Sequence, residues 1–213
     1  MKKSISAIMT NCSTLVNSLN EPEIKAGVAP YGFTEERITE IIGQLLTTEE
    51  LVLKQSKENK DMFVANENFF SAREVVDQDF KNDVKISELA FGSDADLIKI
   101  IPSYTDVYPY SDWYKTVTTF YNNLNTVTGA LLKVSRFNLT ADIIASRISA
   151  VKSLDSLYRV RINESGEAQV ATEQRDKSIE DLLLACREIK EIAKIAFGKN
   201  SQVLEKMGIL VRR

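Results

Sequence analysis

The chain has 213 residues, of which 44% are apolar and 27% charged, with a formal net charge of −3 and a pI near 5.3. That is enough apolar content for a packed core, and it excludes a collagen-like or disordered chain and a broad basic face for nucleic acid. There is no histidine, which removes imidazole bases, Ser-His-Asp and Cys-His catalysis and histidine metal sites.

Met1-Lys2-Lys3 resembles the start of a signal peptide. The stretch from Ser4 to Leu19 is broken by Ser4, Ser6, Thr10, Asn11, Ser13 and Thr14, so it lacks the apolar run of about 7–15 residues that a signal needs. Met9-Thr10-Asn11 lacks the small residue that precedes a lipoprotein cysteine. The N-terminus therefore reads as part of the fold and the protein as cytoplasmic. No apolar window reaches about 18 residues, so no membrane span is expected. Cys12 and Cys186 are too few for a disulfide framework and read as reduced core thiols.

Thr34 sits just before an apolar periodic run and reads as an N-cap, with Glu35 and Glu36 in the first turn, where the helix dipole favours acids. Ile38, Ile41, Ile42, Leu45 and Val52 follow at helical spacings, and Met62, Ala65, Phe69, Ala72 and Val76 continue as a seam of alternating three and four. Between them lies the polar stretch Gln55–Asp61, where a turn would go. No proline interrupts Thr34–Gly92. The segment is thus one long helix or a hairpin of two, and the immediate resumption of the seam favours the long helix. Gly92 ends the pattern as a left-handed C-cap, and Asp94 opens a short helix over Leu97–Ile101. Asp94-Ala-Asp96 looks like the start of a calcium loop, but no downstream Gly and Glu complete it, so Asp94 reads as a cap.

Residues 102–114 are unusual. They hold Tyr104, Tyr108, Tyr110, Trp113 and Tyr114, with the only tryptophan, beside two prolines. Rigid amphipathic rings near prolines suit a ligand platform or a partner interface, and equally suit a linker cemented onto its neighbours.

The second half repeats the first. At an offset of 106, Tyr31–Ile38 falls on Phe137–Ile144 and Lys85–Gly92 on Glu191–Gly198, without a gap. That register gives 13 identities over the 71 residues from Tyr31 to Ile101, ending in a matched Ala-Phe-Gly. An offset of 105 pairs Asn17–Asn20 with Asn122–Asn125. Thr140, Asp142, Ile144, Ile148, Val151, Leu154 and Tyr158 repeat the helix start; Ala168, Ala171, Ser178 and Leu182 repeat the seam with smaller residues; Gly198 and Asn200 repeat the stop and restart. Residues 1–106 carry 11 Lys and Arg against 18 Asp and Glu, net −7; residues 107–213 carry 16 against 12, net +4. Opposite halves should attract.

These patterns predict an all-α fold: an internal duplication of about 106 residues forming an elongated helical bundle or coiled coil with pseudo-twofold symmetry. Repeat 1 spans 1–101, the aromatic proline-containing linker 102–115 and repeat 2 116–213, the repeats packing as one structural unit. Paired acids such as Glu35/Glu36, Glu49/Glu50 and Asp77/Asp79 would serve acid-base or dinuclear metal chemistry only if several pointed inward together; only Glu58/Glu164, Glu67/Glu173 and Glu74/Glu180 repeat as acids on matched sites, and their polar flanks make them read as a solvated face. There is no glycine-rich phosphate loop, no Cys-x-x-Cys and no Gly-x-Ser-x-Gly. No catalytic residue, cofactor or metal is therefore expected.

The segment Ile192-Ala-Lys-Ile-Ala-Phe-Gly-Lys-Asn-Ser-Gln-Val-Leu-Glu-Lys-Met-Gly-Ile209 resembles a family of uncharacterised bacterial helical proteins of the Bacteroidetes type. The resemblance implies tandem copies, each with a Tyr-Gly-Phe-like helix start and an Ile-Ala-x-Ile-Ala-Phe close followed by Leu-Glu-x-Leu-Gly-Ile. The first copy departs at its end, where Ile101-Pro102 stands in place of Met207-Gly208. The resemblance implies a fold and no activity. The expected function is that of a non-catalytic helical scaffold or protein-interaction protein, with a protein partner or self-association and no nucleic acid or membrane. The alternative is a small-ligand-binding or weakly enzymatic bundle using Tyr104, Tyr108, Tyr110, Trp113 and Tyr114.

Overall fold

The computed structural model describes residues 4–103, 109–198 and 202–210. The protein is all-α, 85% helical, and has no strand among the described residues. In chain order the helices are α1 (Ile5–Ser18), α2 (Pro22–Val28), α3 (Glu35–Phe91), α4 (Ala95–Ile98), α5 (Tyr110–Thr126), α6 (Ala130–Ser135), α7 (Ala141–Phe197) and α8 (Gln202–Lys206), with a 3-10 turn at Ala29–Tyr31.

Helices α3 and α7 are each one continuous helix of 57 residues. The polar stretches therefore do not turn. The first offers no glycine or proline, and Gly166 in the second does not take the left-handed conformation. The ends form as the residue types dictate. The Thr34 hydroxyl accepts from Arg37 N–H at 3.4 Å and that of Thr140 from Ile143 N–H at 3.5 Å. Gly92 (φ 56°) and Gly198 (φ 76°) stop the helices in the left-handed region that other residues rarely enter. Asp94 caps α4, accepting from Asp96 and Leu97 N–H. Its proposed counterpart Asn200 lies outside the described residues, as do Tyr104 and Tyr108.

The chain divides into two compact units. Unit 1 is Met1–Lys60 with Gly166–Arg213, and unit 2 is Asp61–Ser165. Each unit thus takes a helix pair from one half, the start of one long helix, the end of the other long helix, and a short closing helix. The divisions fall inside the two polar stretches, which contribute no buried apolar side chain to either core.

The core of unit 1 joins Leu15, Val16, Leu19, Ile24 and Phe33 of the first half to Leu182, Ile189, Ala193, Leu204 and Met207 of the second. Thr48, fully buried, donates to the Gln44 carbonyl at 2.7 Å and with that proton so used accepts from the Ser178 hydroxyl at 2.7 Å, so its buried oxygen is satisfied. The core of unit 2 joins Phe69, Phe80, Phe91 and Leu97 to Trp113, Val117, Phe120, Tyr121 and Leu124. On α5 these five recur at i, i+4, i+7, i+8 and i+11, one continuous apolar face.

Candidate interaction surface and polar centres

The described part of the aromatic junction belongs to a helix. Tyr110 opens α5 immediately after Pro109, and Tyr110, Trp113 and Tyr114 lie three and four residues apart, on one side of its first turns. Tyr110 stacks on Tyr158 of α7 with ring centroids 3.9 Å apart and meets the edge of Phe69 of α3 at 5.4 Å. Its hydroxyl points to Asp155 at 3.5 Å. Burial, with the Asp155 charge behind it, pushes the Tyr110 hydroxyl well above the usual phenol range. Trp113 is buried, donates its indole N–H to Asp77 at 2.8 Å and carries the Arg73 guanidinium over its ring at 5.4 Å. Tyr114, half-buried, stands 6.0 Å from Tyr110. Tyr110 and Trp113 bring α5 against α3 and α7 within unit 2, and their ring faces and polar tips are engaged by protein.

A second polar centre of unit 2 had no sequence signal. Asp83 is buried, accepts from the Tyr121 hydroxyl at 2.8 Å and from Arg147 Nε at 3.1 Å, while Arg147 Nη1 binds Asp79. Desolvation raises the Asp83 carboxyl above its usual range, against the pull of Tyr121 and Arg147. Burial and the Asp83 charge push the Tyr121 hydroxyl up as well. A carboxylate, a phenol and a guanidinium could exchange protons in principle. Here Asp83 accepts from both Tyr121 and Arg147, Arg147 is shared with Asp79, and Asp83 is only 3% exposed, so the carboxylate is closed off from a substrate.

The long helices also carry apolar side chains outside the cores. On α3 in unit 2, Phe63 is 66% and Phe70 51% exposed. Phe63, Glu67, Phe70 and Glu74 stand at i, i+4, i+7 and i+11, one helix face, and both acids are exposed. Arg161 lies over the Phe70 ring at 5.1 Å and binds Asn66 through Nε at 2.7 Å. The sequence carried a signal for this face: two phenylalanines off the buried seam, seven residues apart and interleaved with acids.

In unit 1 the two cysteines meet. Cys12 of α1 and Cys186 of α7 are both buried and both reduced. The neighbouring Cys186 thiol draws the Cys12 thiol down to about 7, with burial opposing it and Lys190 adding to the pull. Cys12, together with burial, pushes the Cys186 thiol up. A groove between α1 and α3, lined by Met9, Ser13, Thr14, Glu49 and Val52, offers hydroxyls and one carboxylate and pairs no nucleophile with a base. No helix among the described residues is long and apolar enough to cross a membrane. In comparisons with family models, curated proteins and solved structures, nothing matches the chain.

Proposed function

We propose that this chain is a non-catalytic helical interaction protein, built by internal duplication, that binds a protein partner on the Phe63–Glu74 face of α3. The observation that carries the reading is the exposure of Phe63 and Phe70 on a helix whose other large aromatic side chain nearby, Phe69, is fully buried. Aromatic side chains left in water at adjacent positions of one face favour burial against a partner, and large exposed apolar patches commonly mark such interfaces. Glu67 and Glu74 on the same face favour an amphipathic helix with basic flanks. The small-ligand alternative draws less support, because Tyr110 and Trp113 already face Tyr158, Phe69 and Asp77.

Support for duplication comes from register. Helices α3 and α7 start at Glu35 and Ala141 and end at Phe91 and Phe197, each pair 106 residues apart. The left-handed residues before them, Gly32 and Asn138, keep the same offset. So do the buried pairs Ile24/Ala130, Val28/Val134, Ile38/Ile144, Ala65/Ala171 and Val76/Leu182. At the offset of 105, Cys12, Leu15, Val16 and Leu19 fall on Val117, Phe120, Tyr121 and Leu124, all buried. The resemblance of the closing segment to tandem-repeat bacterial proteins agrees with this reading.

The test is affinity capture from the native host with the wild type, a Phe63→Ser/Phe70→Ser double variant and a Leu132→Ser control. Leu132 is 75% exposed on α6. A partner that is lost with the double variant and kept with the control supports the proposal. Equal capture by all three refutes this face, and sedimentation that finds a wild-type dimer dissolved by the double variant assigns the face to self-association instead.

A further inference from the structure

We infer that the groove between α1 and α3 in unit 1 is a binding site for a small aliphatic amine, an alkylammonium ion of the diamine class. The groove holds about 640 Å³, the size of a small-molecule cleft. Two polar groups on its α3 wall have no protein partner. Gln55 lines the groove and is only 8% exposed, yet its amide makes no hydrogen bond among the described residues. Buried amides are nearly always hydrogen-bonded, so an open one at the wall of a cleft points to a ligand that supplies the bond. Glu49, half-buried on the same wall, forms no ion pair among the described residues, and no basic side chain among them lines the groove.

The α1 wall offers acceptors. Thr10 gives its hydroxyl proton to the Ser6 carbonyl at 3.0 Å, and Thr14 gives its own to the Thr10 carbonyl at 3.0 Å. Both oxygens keep only lone pairs for the groove. Acceptors facing an unpaired carboxylate select a cation with several N–H donors. Met9 and Val52 add apolar lining, which suits a hydrocarbon chain and not a bare metal ion. On α3, Glu49, Val52 and Gln55 stand at i, i+3 and i+6, so an apolar side chain separates carboxylate from amide along about 9 Å of helix. An ammonium on Glu49, methylenes over Val52 and a second ammonium donating to the Gln55 carbonyl match that order. The repeat register, on the duplication proposed above, sharpens the contrast. Ile5 and Met9 fall on Tyr110 and Tyr114, and Glu49 and Val52 on Asp155 and Tyr158. In unit 2 Tyr110 stacks on Tyr158 and reaches Asp155, which also pairs with Arg159 at 3.0 Å, so protein fills the corresponding space. In unit 1 smaller apolar residues leave it open and the acid unpaired.

The test titrates the full-length chain with putrescine at low salt in a calorimeter. Saturable one-to-one binding is expected. Glu49→Gln should weaken it about tenfold or more, the loss of one charge-assisted contact. Glu50→Gln removes the same charge from the exposed neighbour and should change it little. Gln55→Met should weaken binding at unchanged circular dichroism, and Val52→Tyr, which carries the ring found in unit 2, should block it. Butanediol, of the same length but neutral, should not bind. Absence of saturable binding, equal weakening by Glu50→Gln or equal binding of butanediol overturns the proposal. Tighter binding of a lysine capped at both ends than of putrescine overturns the free amine as occupant and makes the groove a contact for a partner's side chain.

Discussion

Arg147 shows what a single residue can decide in this fold. It bridges Asp79 and the buried Asp83, whose other partner is Tyr121. Removing one partner of a buried pair leaves the other charge uncompensated, which costs about 3–5 kcal/mol. Arg147 is itself 29% exposed, so Arg147→Met should fall near about 3 kcal/mol at neutral pH. The cost should depend on pH. Burial already raises the Asp83 carboxyl in the folded state, and losing Arg147 removes part of the opposing pull. The folded variant then binds a proton that the unfolded chain has released, so its stability falls as pH rises from the ordinary carboxylate range through the raised value. Urea unfolding should therefore find a small deficit against wild type in acid and the full deficit at neutral pH. Adding Asp83→Asn to Arg147→Met should flatten that dependence, since a neutral amide still accepts from Tyr121. A deficit that is constant with pH would refute this account.

Among the helices, space rather than propensity separates the glycines. Gly43 and Gly166 lie in α3 and α7 with open space where a Cβ would stand, so alanine there should stabilise by about 0.8–1 kcal/mol each. At Gly27 in α2 a Cβ would stand 2.3 Å from Phe197 Cζ. Overpacking of about 1–3 kcal/mol outweighs the helix-propensity gain, so Gly27→Ala should lower the denaturation midpoint. Phe197→Leu should recover part of that loss. If Gly27→Ala instead stabilises as Gly43→Ala does, Phe197 is free to move and does not belong to the packed end of unit 1. The element scale is also where the sequence was most legible. Thr34, Gly92, Thr140 and Gly198 mark the ends of both long helices because caps and left-handed glycines act locally. Gln55–Asp61 left a hairpin open on polarity alone, and the resumed seam rightly favoured the one continuous helix, in which Gln55 and Glu58 are buried polar side chains. The candidate site was read less fully. The junction rings were visible as composition, but their partners Asp77, Asp155 and Tyr158 lie far away in sequence. The Asp83–Tyr121–Arg147 centre and the meeting of Cys12 with Cys186 depend on long-range packing that no local pattern encodes.

At the scale of the whole chain, the two halves are bound up in both cores. Of the 17 buried residues in the core of unit 1, 7 come from the second half, and of the 17 in the core of unit 2, 6 come from the first. Neither half can close a core alone, so chains cut at Asp106 should fold by combining. Two combinations compete, because each half supplies the same kinds of parts and could pair with its own copy. Charge decides between them. The halves carry −7 and +4. The ion pairs joining them run mainly from second-half cations to first-half acids, as in Lys133–Asp94, Arg147–Asp79, Arg147–Asp83 and Lys206–Glu23, with Arg37–Glu188 reversed. Apart from the Arg147–Asp83 pair, whose carboxylate is buried, these pairs are at least partly exposed and contribute about 0–1 kcal/mol each, so apolar burial at about 25 cal/mol per Å² must supply most of the affinity. Charge should instead choose the partner and speed the encounter. We therefore expect residues 1–106 and 107–213, mixed after separate refolding, to form a one-to-one complex with recovered helicity in preference to either homodimer. Raising salt should slow association more than it hastens dissociation, because screening weakens long-range attraction and leaves the buried apolar contacts intact. Stopped-flow mixing across a salt series, with sedimentation to identify the species, decides the matter. Homodimers that form as readily as the mixed complex would mean that the opposite charges do not select the pairing of the halves.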